Sequence, residues 1–250
     1  MAHGKRFRAQ YDKVDRDRAY RPAEAIALIK ETASTKFDET VELHVLLGVN
    51  VRHADEQLRG TLALPHGLGK DVSVAVLAQG QQARDAEAAG ADFVGGQDLV
   101  EKVQEGWTDF DIAISTPEMM RSVGQLGRVL GPQGKMPNPK VGTVTDDVEK
   151  AVGESKSGKV EYRTDRQAIV HMAIGKASFD ADKLLENYQA VIEEIVRAKP
   201  SAAKGKYIVS ATLATTMGPG IRVDAGAKAD RDGAGTTASA DETAPEPVTA

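Results

Sequence analysis

The 250-residue chain contains no cysteine, which removes disulfides, thiolate metal ligands and cysteine nucleophiles together. Only 4% of its residues are aromatic, too few for a broad platform on which single-stranded bases would stack. No apolar run approaches the ~18 residues needed to cross a bilayer, so no membrane partner is expected. The amino-terminal stretch MAHGKRFRAQYDKVDRDRAYR is basic but lacks the apolar segment of a secretory signal. The five histidines, His3, His44, His53, His66 and His171, show no ligand spacing, and no metal site is expected. No G-x-S-x-G elbow anchors a hydrolase triad. Residues 153–159 (GESKSGK) copy the opening of a phosphate-cradling loop. Val160 nevertheless stands where a hydroxyl must reach magnesium, and the order is helix–loop–strand where strand–loop–helix is required. The expectation is a chain with no catalytic residues and no cofactor, in a reducing cytoplasm.

What is present is a soluble composition, 41% hydrophobic and 28% charged, with a net charge of −5 that hides its distribution. Residues 224–250 hold six acidic side chains against two basic ones, and residues 68–158 hold fourteen against nine. The remainder carries twenty-one basic and seventeen acidic residues. A cationic body with an acidic middle and tail can meet a polyanion despite its total, because the local field governs encounter.

Periodicity divides the chain in the same places. Residues 22–33 read as a helix opened by proline, and residues 40–47 (TVELHVLL) alternate as a half-buried strand. From 72 to 78 the chain is almost wholly apolar, as in strands covered on both faces. Helices over 81–89, 98–105, 117–129 and 146–155 then alternate with strands over 92–94 and 110–115, which predicts a parallel sheet. Beyond Gly158, residues 159–163 and 168–175 read as a strand pair turned through Thr164, Asp165 and Arg166. Residues 180–199 read as the longest helix and 206–213 as a closing strand. The fold class expected is mixed α/β and α+β in two domains. Residues 1–67 and 159–224 form a discontinuous antiparallel α+β domain, with a three-layer α/β domain inserted over 68–158 and a disordered acidic tail over 225–250. The turn-rich joints, with Pro65, Gly67, Gly69 and Gly158, form the expected hinge.

Residues 127–143 (GRVLGPQGKMPNPKVGT) combine four glycines and three prolines with Arg128, Gln133, Lys135, Asn138 and Lys140. They show neither helix nor strand period and read as a long loop presenting cations to something large and anionic. Elsewhere Lys36 and Phe37 precede the first strand, Arg163 and Arg166 share a turn, and Ser210 with Thr215, Thr216, Met217 and Gly218 lies on and after the last strand. Cations suit phosphate, while hydroxyls and glycine-flanked N–H groups suit phosphate and the ribose hydroxyl. A folded RNA fits this set. An α/β enzyme or binding module for a phosphorylated small molecule is the alternative.

The blocks KFDETVELHVLLGVN, RGTLALPHGLGK, GADFVGG, LGRVLGPQGKMPNPKVGT, KVEYRTDRQAIVHMAIGK and ATTMGPG resemble, in that order, the bacterial L-one family of large-subunit ribosomal proteins. The resemblance covers about residues 1–223. It implies the insertion architecture, with a Rossmann-like insert that lacks G-x-G-x-x-G and so takes no dinucleotide. It implies binding of large-subunit ribosomal RNA in the mobile stalk, contact with outgoing E-site transfer RNA, and repression by binding the messenger of its own operon. By motif position it carries RNA contacts to Lys36, Phe37, Thr40, Ser210, Thr216, Met217 and Gly218, and further to Arg163, Asp165, Arg166 and His171. Residues 127–140 are expected at the rim facing transfer RNA. A cytoplasmic, ribosome-associated protein, monomeric when free, is expected. The acidic extension departs from the family pattern, and its carboxylates could compete with RNA for basic side chains.

Overall fold

The computed structural model describes residues 4–226, so the tail expected to be disordered lies, from residue 227 on, outside the described residues. The first strand, β1 (Thr40–Leu47), has the boundaries its alternation predicts, with Val41, Leu43, Val45 and Leu47 buried. It is the second strand of a four-stranded antiparallel sheet. The others are β7 (Ile169–Lys176), β8 (Ile208–Thr215) and the short edge strand β9 (Ile221–Val223), in the order β7–β1–β8–β9.

Helices α2 (Pro22–Thr32) and α8 (Ala181–Arg197) cover one face of this sheet. Proline opens α2, where its missing N–H costs nothing, and Ala25, Ile26 and Ile29 fall on one buried stripe. In α8, Leu184, Leu185, Tyr188, Val191 and Ile195 do the same. Each large side chain removed from water contributes about 1.5–3 kcal/mol. A short first helix, α1 (Lys5–Tyr11), which carries no periodic signal in the sequence, is tied to the end of α2 by a 2.6 Å bond from Gln10 Nε2 to Thr32 O.

A second core belongs to residues 72–152. Strands β3 (Val74–Leu77), β4 (Phe93–Gly95) and β5 (Ile112–Ser115) pair in parallel in the order β4–β3–β5. Val74, Val76 and Ile114 pack with α3 (Gln81–Ala88) and α7 (Val148–Lys156). Ala75, Leu77 and Ala113 pack on the other side with α4 (Gln97–Gln104), α5 (Met120–Val123) and α6 (Gly127–Gln133). Helices on both faces explain why these strands read as continuous apolar runs. The two-domain, mixed α/β architecture is thus present.

Two expectations require correction. Residues 127–143 are not a structureless loop: α6 occupies Gly127–Gln133 with Pro132 inside it, and Pro139–Val141 forms a 3₁₀ turn. Met119, Val123, Leu126 and Leu130 recur at helical spacing and are buried, so the apolar stripe outweighs the glycines and proline. Gly134, at φ 72°, then ends the helix in the left-handed region. Secondly, β6 (Lys159–Arg163) does not pair along its length with β7. It forms a separate antiparallel ribbon with β2 (Arg59–Ala63), Ala63 lying opposite Lys159, and the residue after it meets β7 at the isolated bridge Thr164–Val170. The chain leaves for the insert and returns side by side, so the outgoing strand is the nearest partner for the returning one. Asp165 breaks β6 from β7 by accepting 2.8 Å bonds from the N–H groups of both Gln167 and Ile169, with Ala168 at φ 62°.

Candidate nucleic-acid interface

The face of the four-stranded sheet opposite α2 and α8 presents Thr40, Glu42, His44 and Leu46 from β1, all half-buried. Beside them lie Ile169 and His171 of β7 and Ser210 and Thr212 of β8, with Arg222 of β9 opposite Thr212. The sequence-predicted residues divide between the two ends of this face and its middle. From Ser210 to Thr216 the strand spans about 20 Å at ~3.3 Å per residue.

One end is a braced corner. Thr40 N–H donates to Thr216 Oγ1 at 3.1 Å, Thr216 N–H donates to Thr40 O at 3.2 Å, and Lys176 Nζ donates to Thr40 Oγ1 at 2.9 Å. Asp38 accepts from Ser178 N–H at 3.1 Å and from the Ser178 hydroxyl at 2.7 Å. Glu39, which no sequence motif marks, is buried and accepts from Met217 N–H at 3.0 Å and Thr35 N–H at 3.3 Å. Burial alone would raise its pKa, but the Thr215 side chain and these N–H groups hold the carboxyl below its ordinary value. Phe37 (55% exposed) and Met217 (49% exposed) therefore project outward from a fixed frame, beside an exposed Lys36. Gly218 is required here because a Cβ would collide with the Thr215 hydroxyl.

In the middle, His44 Nδ1 and His171 Nδ1 lie 2.8 Å apart, so one ring donates while the other accepts. His171 Nε2 lies 3.5 Å from Asp165 Oδ2, and His44 Nε2 lies 3.7 Å from Glu42 Oε2. Burial and then the neighbouring His171 push the His44 pKa down. At the far end, Ser210 pairs with Leu46, and Arg163 and Arg166 are exposed beside the turn. Asp165 is spent on that turn, its pKa lowered chiefly by the Ile169 N–H.

The insert's candidate residues separate. Arg128, Gln133 and Lys140 are exposed. Lys135 instead turns inward, donating to Thr108 O at 2.9 Å with its ammonium 5.4 Å from the Phe110 ring centroid. Asn138 caps the 3₁₀ turn, its Oδ1 accepting from Lys140 N–H at 2.8 Å.

Of the joint residues, Gly67 (φ 61°) and Gly158 (φ 92°) touch backbone to backbone, and a Cβ on Gly158 would lie 2.6 Å from Gly67 Cα. Buried Asn187 of α8 fixes the outgoing segment. It donates to Gly67 O at 3.1 Å and Ile174 O at 2.7 Å, and accepts from His66 N–H at 3.1 Å. A cleft of about 300 Å³ lies between the β2–β6 ribbon and the insert. Its cations are already engaged: Lys70 with Asp111 at 2.6 Å, Lys159 with Glu154 at 2.8 Å, and Lys135 as above. That leaves the alternative reading, a phosphorylated small molecule, without a free ammonium in this cleft. Among the described residues there is no group of three or more His, Asp or Glu able to hold a metal ion, and no helix long and apolar enough to cross a membrane.

The family model described as "Ribosomal protein L1p/L10e family" matches residues 29–219. The large ribosomal subunit protein uL1 of Thermobifida fusca (strain YX) is 57% identical over 224 residues, covering 90% of this chain and 95% of that protein.

Proposed function

Because the chain belongs to the Ribosomal protein L1p/L10e family, a family of structural RNA-binding proteins rather than enzymes, we propose that it is a cytoplasmic component of the large ribosomal subunit and holds a folded site in ribosomal RNA. The carrying observation is the open sheet face, with the braced corner of Thr40, Thr216, Met217 and Phe37 at one end and Arg163 and Arg166 at the other. Phosphate contacts from the cations fix register, while hydroxyls, N–H groups and an apolar edge suit an RNA surface read by shape. With few unpaired cations on the face, affinity should fall with salt along a shallow slope.

Two finer roles belong to this reading, one on the same face and one on the insert. A messenger that folds to imitate the ribosomal site would compete for it, so repression of the protein's own operon needs no second face. The exposed Arg128, Gln133 and Lys140 of the insert suit a passing anionic partner, here E-site transfer RNA, while the insert turns about the joint at Pro65, Gly67, Gly69 and Gly158. The domain division that goes with this reading is 1–67 with 159–224 and the insert 68–158, with that joint as its boundary.

The test is a binding titration of the full chain against a large-subunit ribosomal RNA stem–loop and a plain duplex of equal length. Thr216→Val and Met217→Asp should each weaken the stem–loop complex about tenfold, which is ~1.4 kcal/mol, and leave duplex binding unchanged. Equal affinity for the two RNAs would defeat the proposal.

A further inference from the structure

The two histidines in the middle of the open face form a relay that ends in an unused acceptor. Asp165 Oδ1 takes both N–H groups of its turn, from Gln167 and Ile169 at 2.8 Å each. This fixes the carboxylate and leaves Oδ2 to face His171 Nε2 at 3.5 Å. A carboxylate favours an N–H over a nitrogen lone pair, so His171 carries its proton on Nε2 and accepts at Nδ1. His44 Nδ1, 2.8 Å away, is then the donor. A neutral imidazole has a single N–H, which leaves His44 Nε2 bare.

Glu42 favours the opposite order, with a proton on His44 Nε2. Its Oε2 lies 3.7 Å from that nitrogen, beyond hydrogen-bond reach, and its side chain is 46% exposed, whereas Asp165 is anchored by backbone. The fixed carboxylate sets the tautomers. Burial and then His171 lower the His44 pKa, which opposes a second proton on this ring. On its other side His44 lies opposite Thr212 of β8, and Thr212 opposite Arg222 of β9. The charged groups facing the ring are thus Glu42, Asp165 beyond His171, and Arg222 about 10 Å away at two strand spacings. The His44 side chain keeps 29% of its surface open to solvent.

A bare nitrogen on this face calls for a donor. Phosphate oxygens only accept, whereas a ribose 2′-hydroxyl donates and is the group that separates RNA from DNA. The Arg222 guanidinium suits a phosphate neighbouring that ribose. We propose that His44 is a specificity-determining contact: its Nε2, kept bare by the relay from Asp165 through His171, accepts a hydrogen bond from a 2′-hydroxyl of the bound RNA. This deepens the proposed function and rests on it.

Nitrogen NMR of the free full chain at neutral pH reads the tautomers without RNA. His44 should carry its proton on Nδ1 and His171 on Nε2. Asp165→Asn, whose Oδ1 still serves the turn while its amide N–H faces His171, should exchange both. A proton on His44 Nε2 in the native chain, or unchanged tautomers in the variant, would overturn the relay. Binding is then read with stem–loops carrying one 2′-deoxy nucleotide at each position in turn. One position should weaken the native complex about three- to tenfold, the worth of one hydrogen bond, and cost nothing further in His44→Leu. His44→Gln, which restores an acceptor, should recover part of that dependence. Weakening by His44→Leu with no coupled position would assign the acceptor to a base amino group and overturn the ribose contact, as would no weakening at all. A native chain that fails to prefer the stem–loop over plain duplex would instead overturn the proposed function, and the nitrogen spectrum would still decide the relay.

Discussion

Glu39 shows how one buried carboxylate can govern a surface it never reaches. It takes the N–H groups of Met217 and Thr35, so Glu39→Ala strands two donors at the corner that displays Phe37 and Met217. We expect a loss of about 1–3 kcal/mol in urea denaturation and weaker RNA binding, with Glu39→Gln recovering part of both. Its folded pKa lies below the ordinary 4.5. The stabilisation is therefore complete above 4.5 and drains as pH falls through the lower folded value, a slope the alanine variant should lack. His44 runs the other way. Burial and His171 depress its pKa below 6.5, so on acidification the unfolded chain takes up a proton before the folded one does. Stability should fall below pH 6.5 until the folded pKa is passed, and His44→Gln should flatten that stretch of a Tm-against-pH curve. Glu39 is invisible in the sequence because an acid ahead of a strand looks solvated, and its partner Met217 stands 178 positions away.

At the scale of elements, local patterns are legible and pairings are not. The alternation of Val41, Leu43, Val45 and Leu47 marks β1 to the residue, and the apolar stripe of α8 marks the long helix. β2, with sequence RGTLA and little alternation in burial, carries no signal until β6 lies beside it. β9 has three residues, too short for a period to declare itself. Around α6 the glycine and proline content masks Leu126, just before the helix, and Leu130 within it, which anchor this segment in the core. The joint supplies a prediction at this scale. Gly158→Ala would drive a methyl against Gly67 Cα and hold a Cβ at φ 92°. Strain of this kind costs about 1–3 kcal/mol, so the Tm should drop, whereas Gly153→Ala in the exposed part of α7, with nothing within 4 Å of the new methyl, should stabilise by about 0.5–1 kcal/mol.

For the whole molecule, the charge pattern in the sequence foretells the partner class better than the net charge does, since a cationic scaffold is hidden behind an acidic insert and tail. The same division appears in the packing. The buried cluster around the four-stranded sheet draws only on residues 14–64 and 162–223, and the clusters around the parallel sheet draw only on residues 74–152. A chain in which Gly67 is followed directly by Gly158 should therefore fold cooperatively and keep its affinity for the stem–loop within a few-fold. Calorimetry and the same titration would check this, and a molten product would show that the scaffold needs its insert.

That excision is feasible because of where the two glycines meet. A Cβ on Gly158 would lie 2.6 Å from Gly67 Cα, which brings the two Cα atoms within about 4 Å of each other, compatible with the ~3.8 Å between successive residues of any chain. The insert enters and departs through a single doorway, and the buried clusters on its two sides share no residue. It is also a cassette: foreign domains with neighbouring termini could be grafted at that threshold, and the RNA grip would persist.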